Sequence, residues 1–148
     1  MRVLLLSGDL MTQSKINSVT QSLGLTTIPA SSVARLFEAA RETSIVVLDL
    51  AIQSYELADV VAQLRSLHVP PRAVLAFGPH VHRARLQSAV DAGCDAVFSR
   101  GQFLEHTAEI LRRFVEGGSS VRGVVEVPPR GAELPAGEPT EGGTNGMG

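Results

Sequence analysis

The 148-residue chain has no tryptophan, one tyrosine, five phenylalanines and a single cysteine, Cys94. Aromatic residues make up 4 % and hydrophobic residues 44 %, so Leu, Val and Ala must build the core. One cysteine excludes an intrachain disulfide and fits a reducing compartment. Neither sign of charge is in excess: the formal net charge is −2, and residues 1–116 hold 11 basic and 11 acidic side chains. Non-specific nucleic-acid binding needs concentrated Lys and Arg, which are missing. No run approaches the ~18 apolar residues of a membrane helix. The apolar run from Arg2 to Leu6 is too short for a signal peptide. These absences predict a soluble cytoplasmic protein that binds neither nucleic acid nor membrane.

What is present is an alternation of two periodicities. Val3 to Leu6 is a continuous apolar run ended by Ser7-Gly8-Asp9, the pattern of a strand buried on both faces. Ser14 is positioned to cap a helix with Ile16, Val19 and Leu23 at helical spacing, stopped at Gly24. Leu25 to Ile28 reads as a short strand closed by Pro29. Ser31 or Ser32 caps a second helix with Val33, Leu36, Phe37 and Ala40 inward. Ser44 to Leu50 is the strongest strand signal, with Asp49 near its end. Leu57, Val60, Val61, Leu64 and Leu67 mark a third amphipathic helix, broken at Pro70-Pro71. Ala73 to Phe77 is a buried strand ended by Gly78-Pro79. Val81, Leu86, Ala89 and Val90 predict a fourth helix, stopped at Gly93. Asp95 to Phe98 is a fifth strand. One long helix should then bury Phe103, Leu104, Ile110, Leu111, Phe114 and Val115.

Five strand–helix alternations with short connections demand a parallel sheet with right-handed crossovers and helices on both faces. The composition changes after Glu116. Gly117 to Ser120 reads as a linker. Val121 to Val127 has some strand character, yet is too short to fold alone. From Pro128 onward Pro, Gly, Glu and Thr dominate, and such a segment cannot bury enough apolar surface to offset its ordering entropy. The expected organisation is a domain over 1–116 and a disordered Gly/Pro/Glu-rich tail over 117–148.

In open α/β sheets ligands bind outside the carboxyl ends of the strands. The residues to inspect are therefore Gly8, Asp9, Asp49, Gly78, Ser99 and Arg100. Chain order alone places two carboxylates and one guanidinium on a common rim.

The runs Val-Leu-Leu-Leu-Ser-Gly-Asp, Ile-Val-Val-Leu-Asp-Leu, Ala-Val-Leu-Ala-Phe-Gly and Ala-Gly-Cys-Asp-Ala-Val-Phe-Ser-Arg resemble the receiver domain of two-component response regulators, the CheY-like superfamily. The resemblance spans about residues 1–116. It implies a flavodoxin-like (βα)5 doubly wound sheet in strand order 2-1-3-4-5. It also implies phosphoryl transfer to an aspartate ending strand three, which is Asp49. Charge on the phosphoryl oxygens would be neutralised by Mg²⁺, held by Asp9, Asp49 and the backbone carbonyl of Ala51. The partner would be a histidine kinase or a downstream signalling protein. The face of helix 4, strand 5 and helix 5 would serve protein contact, including homodimerisation.

The chain departs from the receiver pattern at several positions. The acidic pair after strand one is Gly8-Asp9. The Thr or Ser after strand four is Gly78. The lysine after strand five is Arg100, which keeps charge but not the compact ammonium. The following proline is Gly101, and the aromatic switch position is Val97. Arg100 could contact an anion or form a salt bridge to Asp49 or Asp9 that locks the site. Asp49 could be a phospho-acceptor or an aspartate capping the next turn. His80 and His82 form a His-x-His pair without a nearby third ligand, which reads as a solvated loop. Cys94 suits a small buried position, and Tyr55 edge packing.

Other α/β functions lack their motifs. There is no G-x-x-x-x-G-K-[ST] and no G-x-G-x-x-G after strand one. Gly8 to Lys15 offers only Thr12 and Ser14 to a flavin phosphate, and no histidine follows Asp9 as a cobalamin domain requires. The expected function is a non-enzymatic, pseudo-receiver signalling module acting through protein contact. The alternatives are a single-domain response regulator phosphorylated on Asp49, and a small-molecule-binding flavodoxin-like domain.

Overall fold

A computed structural model of the chain describes residues 1–40, 42, 44–52 and 55–116, together with the backbone of residues 124–125. The strands are β1 (Arg2–Leu6), β2 (Thr26–Ala30), β3 (Ser44–Asp49), β4 (Ala73–Gly78), β5 (Ala96–Ser99) and β6 (Val124–Val125). The helices are α1 (Leu10–Ser22), α2 (Val33–Ala39), α3 (Leu57–Arg65), α4 (Arg83–Asp91), α5 (Arg100–Glu105) and α6 (Thr107–Val115). The strands form one sheet in the order β2-β1-β3-β4-β5-β6, and every neighbouring pair is parallel. The expected 2-1-3-4-5 order is present, and β6 extends it.

The apolar runs become central strands because helices cover both faces. All six residues of β3 and all six of β4 are buried. Leu4, Leu6, Val46, Leu48, Val74 and Ala76 face α2, α3 and α4, where Leu36, Val61, Leu64 and Leu86 complete one core. Val3, Leu5, Ile45, Val47, Leu75 and Phe77 face the other way, against Ile16 of α1, Phe103 of α5 and Ile110, Leu111 and Phe114 of α6. Each fully buried Val, Leu, Ile or Phe side chain contributes about 1.5–3 kcal/mol. Aromatics are few, and four phenylalanines lie in this second core: Phe103 stacks on Phe77 at 4.9 Å between ring centroids and meets Phe98 at 5.7 Å.

The structure differs from the sequence expectation at five places. Helix α1 begins a turn before Ser14, because Asp9 is its N-cap. Its buried stripe is Thr12, Ile16 and Thr20; Val19 and Leu23 are only partly buried. Strand β2 continues through Pro29, which an edge strand tolerates because a missing N–H costs no ladder bond on the open side. Val81 lies outside α4 and is 69 % exposed.

The long fifth helix is two helices. They break at His106, whose φ of −118° and ψ of 27° are not helical. Buried Thr107 there donates its hydroxyl back to the Phe103 carbonyl at 2.6 Å, a local bond that bends helices. Finally, Val124 and Val125 pair in parallel with Ala96 and Val97 of β5, inside the segment expected to be disordered. The remainder of that tail, and the Gly117 to Ser120 linker, lie outside the described residues. Gly24 ends α1 as expected, with a φ of +75° that non-glycine residues rarely adopt.

Candidate functional site

The carboxyl ends of β1, β3, β4 and β5 share one rim. Asp49 is the last residue of β3, and the register Asp49↔Phe77 and Gly78↔Ser99 sets β4 and β5 beside it. Asp49 is 2 % exposed. Its Oδ2 accepts the Ser7 hydroxyl at 2.7 Å, and its Oδ1 accepts the Ala51 amide at 3.0 Å. The Asp49 carbonyl also accepts the Ile52 amide at 3.2 Å. The carboxylate therefore closes the turn that follows its own strand and ties β3 to the end of β1. Two donors, one on each oxygen, are the arrangement that makes burial of such a carboxyl group tolerable.

Asp9 does different work. Its Oδ1 accepts the Met11 amide at 3.1 Å and caps α1, while its Oδ2 accepts the Thr12 hydroxyl at 2.7 Å. The Arg100 guanidinium bonds to the same Oδ2 and to the Thr12 hydroxyl. Local sequence aims Arg100 there: it is the first residue of α5, which Ser99 and Gln102 start with a reciprocal capping box. The hydrogen bonds from Thr12 and then Arg100 hold the Asp9 carboxyl below the usual carboxylate range. Among the described residues no hydrogen bond or ion pair joins Arg100 to Asp49.

Thus the rim brings Asp9, Asp49 and Arg100 together as two bonded units. Ser7 joins the units, because its hydroxyl also accepts the Asp9 amide at 3.2 Å. Ser7 carries no motif, yet it lies one position beyond the Leu6↔Leu48 pair. In a parallel ladder that puts it level with Asp49, a signal already present in chain order.

The donor set does not fit a magnesium ion as it stands. The cation demands near-octahedral oxygen ligation, but the Asp9 carboxylate is engaged by Arg100, Thr12 and Met11, and the Asp49 carboxylate by Ser7 and Ala51. Among the described residues no three His, Cys, Asp or Glu side chains group as metal ligands. His80 and His82 are exposed in the turn before α4.

At Gly78 the missing hydroxyl is matched by missing space. A Cβ there would sit 2.9 Å from the Leu50 Cβ. Leu50 is fully buried, so its side chain fills the volume beside Asp49 that a larger residue on β4 would need.

The turn after Asp49 is gripped from α4. Arg85 donates from Nη2 to the Ile52 carbonyl at 2.9 Å and from Nε to the Leu50 carbonyl at 3.4 Å. Its guanidinium lies 5.5 Å from the Tyr55 ring centroid. Burial pushes the Tyr55 phenol up to about 12, against the opposing charge of Arg85. No sequence motif marks Arg85. Cys94 is buried, and burial pushes its thiol up to about 12. No described helix is long and apolar enough to cross a membrane.

No protein-family model and no curated protein sequence matches the chain. Solved structures do. A response regulator from Thermotoga maritima aligns at a TM-score of 0.63 with 15 % identity, over 78 % of this chain and 97 % of its own. A LuxR family DNA-binding response regulator from Silicibacter pomeroyi aligns at 0.62 with 16 % identity, over 88 % of this chain and 98 % of its own. The regulatory domain of the master biofilm regulator CsgD aligns at 0.58 with 16 % identity, over 79 % of this chain and 89 % of its own. Similarity at this level speaks to architecture, and with the 2-1-3-4-5 order it establishes that the chain has the receiver fold of response regulators.

Proposed function

We propose that this chain is a receiver-like signal-transduction module that works by protein contact, with Asp49 serving as a structural carboxylate and not as a phosphoryl acceptor. The observation that carries this reading is the state of Asp49. It is 2 % exposed, and both oxygens are bonded inside the protein, to Ser7 and Ala51. A phosphoryl donor needs an exposed oxygen in line with the leaving group and cations around the transferred group. The nearby guanidinium of Arg100 is committed to Asp9 and Thr12, and Leu50 occupies the space beside Gly78. The module is not an enzyme on this reading. Its partners are signalling proteins, a histidine kinase or a downstream protein among them, and it acts in the cytoplasm. Contact through α4, β5 and the α5–α6 pair would include self-association.

The second reading is a phosphorylated single-domain regulator. It is favoured by one specific observation, the placement of Asp49 at the carboxyl end of the central strand β3, between β1 and β4. Incubating the full chain with beryllofluoride or acetyl phosphate plus Mg²⁺ separates the two. The proposed function expects no adduct by intact mass or ¹⁹F NMR. A stable adduct absent from Asp49→Asn would overturn it in favour of the phosphorylated form. Native mass spectrometry of the purified chain showing a retained small molecule would instead support a ligand-binding domain.

A further inference from the structure

We infer that Arg85 is the positioning residue for Asp49, acting on it through the Leu50–Ala51 peptide group. The Leu50 carbonyl and the Ala51 N–H belong to one planar, trans peptide unit, so they point in opposite directions. The carbonyl accepts from Arg85 Nε at 3.4 Å, and the N–H donates to Asp49 Oδ1 at 3.0 Å. A cation on the oxygen side and an anion on the hydrogen side polarise the same amide in the same sense, which strengthens both bonds. The shorter bond, Arg85 Nη2 to the Ile52 carbonyl at 2.9 Å, keeps the guanidinium seated on the same turn. The Tyr55 ring beneath the guanidinium keeps the arginine in place from the turn just before α3.

This grip reaches two features at once. It aims the Ala51 amide at the carboxylate, and it fixes the backbone of Leu50, whose side chain fills the space beside Gly78. Arg85 lies on α4, 36 positions beyond Asp49 in the sequence. The turn after β3 and the first part of α4 are therefore held as one piece, and displacing α4 would loosen the seat of Asp49. Only an arginine can do this, because its fork supplies two donors in one plane while its face rests on an aromatic ring. The assignment deepens the reading of Asp49 as a carboxylate kept within the protein's own bonds and rests on it. The two fail separately, since a beryllofluoride adduct tests that reading and the measurement below is made on the unmodified chain.

The test is amide exchange and side-chain NMR on the labelled full chain carrying Arg85→Gln, Arg85→Lys or Tyr55→Phe. Arg85→Gln should raise exchange of the Ala51 amide about tenfold or more, as loss of a local restraint does. It should also shift the Asp49 carboxyl ¹³C resonance, while Val46 and Val47 of β3 keep their protection. Arg85→Lys, a point charge with no fork, should fall between the two, and Tyr55→Phe, which keeps the ring, should match the parent. Ala51 exchange and an Asp49 carboxyl signal unchanged in Arg85→Gln would overturn the assignment. Should Arg85→Gln lose protection throughout β3, the lysine variant decides: parental Ala51 exchange overturns the inference, and raised exchange with intact β3 supports it.

Discussion

Ser7 at the end of β1 donates its hydroxyl hydrogen to Asp49 Oδ2 at 2.7 Å, across 42 positions of sequence. Both residues are almost completely buried. The bond explains how a carboxylate is held inside the sheet where, among the described residues, no cation bonds to it directly, and it makes Ser7 part of the rim that the receiver resemblance did not name.

Replacing Ser7 by Ala removes the side-chain donor of the two groups bonded to the Asp49 carboxyl and leaves one buried oxygen unpaired. Such a loss costs roughly 1.5–3 kcal/mol. Urea denaturation of Ser7→Ala should show a destabilisation in that range with an unchanged slope. A change below about 0.5 kcal/mol would mean that water or another group replaces the hydroxyl at no cost.

Asp9 and Arg100 predict a pH dependence. Hydrogen bonds from Thr12 and Arg100 lower the Asp9 carboxyl in the folded chain relative to the unfolded one. A depressed carboxyl contributes stability that is complete above its unfolded value, about 3.9, and is lost as pH falls through the folded value. The stability gap between the parent and Asp9→Asn should therefore be largest near neutral pH and shrink below about pH 4. Denaturation midpoints at pH 7 and pH 3 check this, and a gap that widens on acidification would contradict it.

Gly78 should resist the residue that its position suggests. Gly78→Thr places a Cβ 2.9 Å from the Leu50 Cβ, and overpacking of this kind costs about 1–3 kcal/mol. Leu50→Gly, which removes that Cβ, makes a cavity of its own, yet the double variant should be more stable than the two single losses add up to. Simple additivity in that double-mutant cycle would show that the two positions do not compete for space.

Phe103 sits where β4, β5 and α5 meet, stacked on Phe77 and tilted against Phe98. In a chain with so few aromatics its loss is not readily filled. Phe103→Ala should cost about 3–5 kcal/mol, measured as a fall in the denaturation midpoint. A cost under about 1 kcal/mol would mean that the second core collapses around the vacancy.

Cys94 should be silent in the native protein. Its thiol is buried and raised to about 12, so little thiolate exists at neutral pH. Reaction with a disulfide reagent at pH 7.5 should be complete in denaturant and slow in buffer. Rapid labelling of the native chain would contradict the burial.

Much of the architecture was legible in the chain itself. Runs such as Val3 to Leu6, Ile45 to Leu48 and Ala73 to Phe77 are apolar without alternation, which only a strand covered on both faces requires. Their separation by helical periodicities dictates parallel pairing and covers both faces of the sheet. The rim composition, with Asp9, Asp49, Gly78 and Arg100 at strand ends, follows from the same order. These properties are local or nearly so, and a period of two or of 3.6 is written in neighbouring residues.

The pairing of the charges was decided only by tertiary structure. Arg100 had Asp9 and Asp49 open to it in the sequence, and it bonds to Asp9, 91 positions away, because the capping box at Ser99 aims it toward the N-cap of α1. The break at His106, the start of α1 at Asp9 and the grip of Arg85 on the turn after β3 arise in the same way. A side chain chooses its hydrogen-bond partner among groups the fold brings within about 3 Å. Residues that lie dozens of positions apart acquire that proximity only when the sheet closes and the helices settle against it.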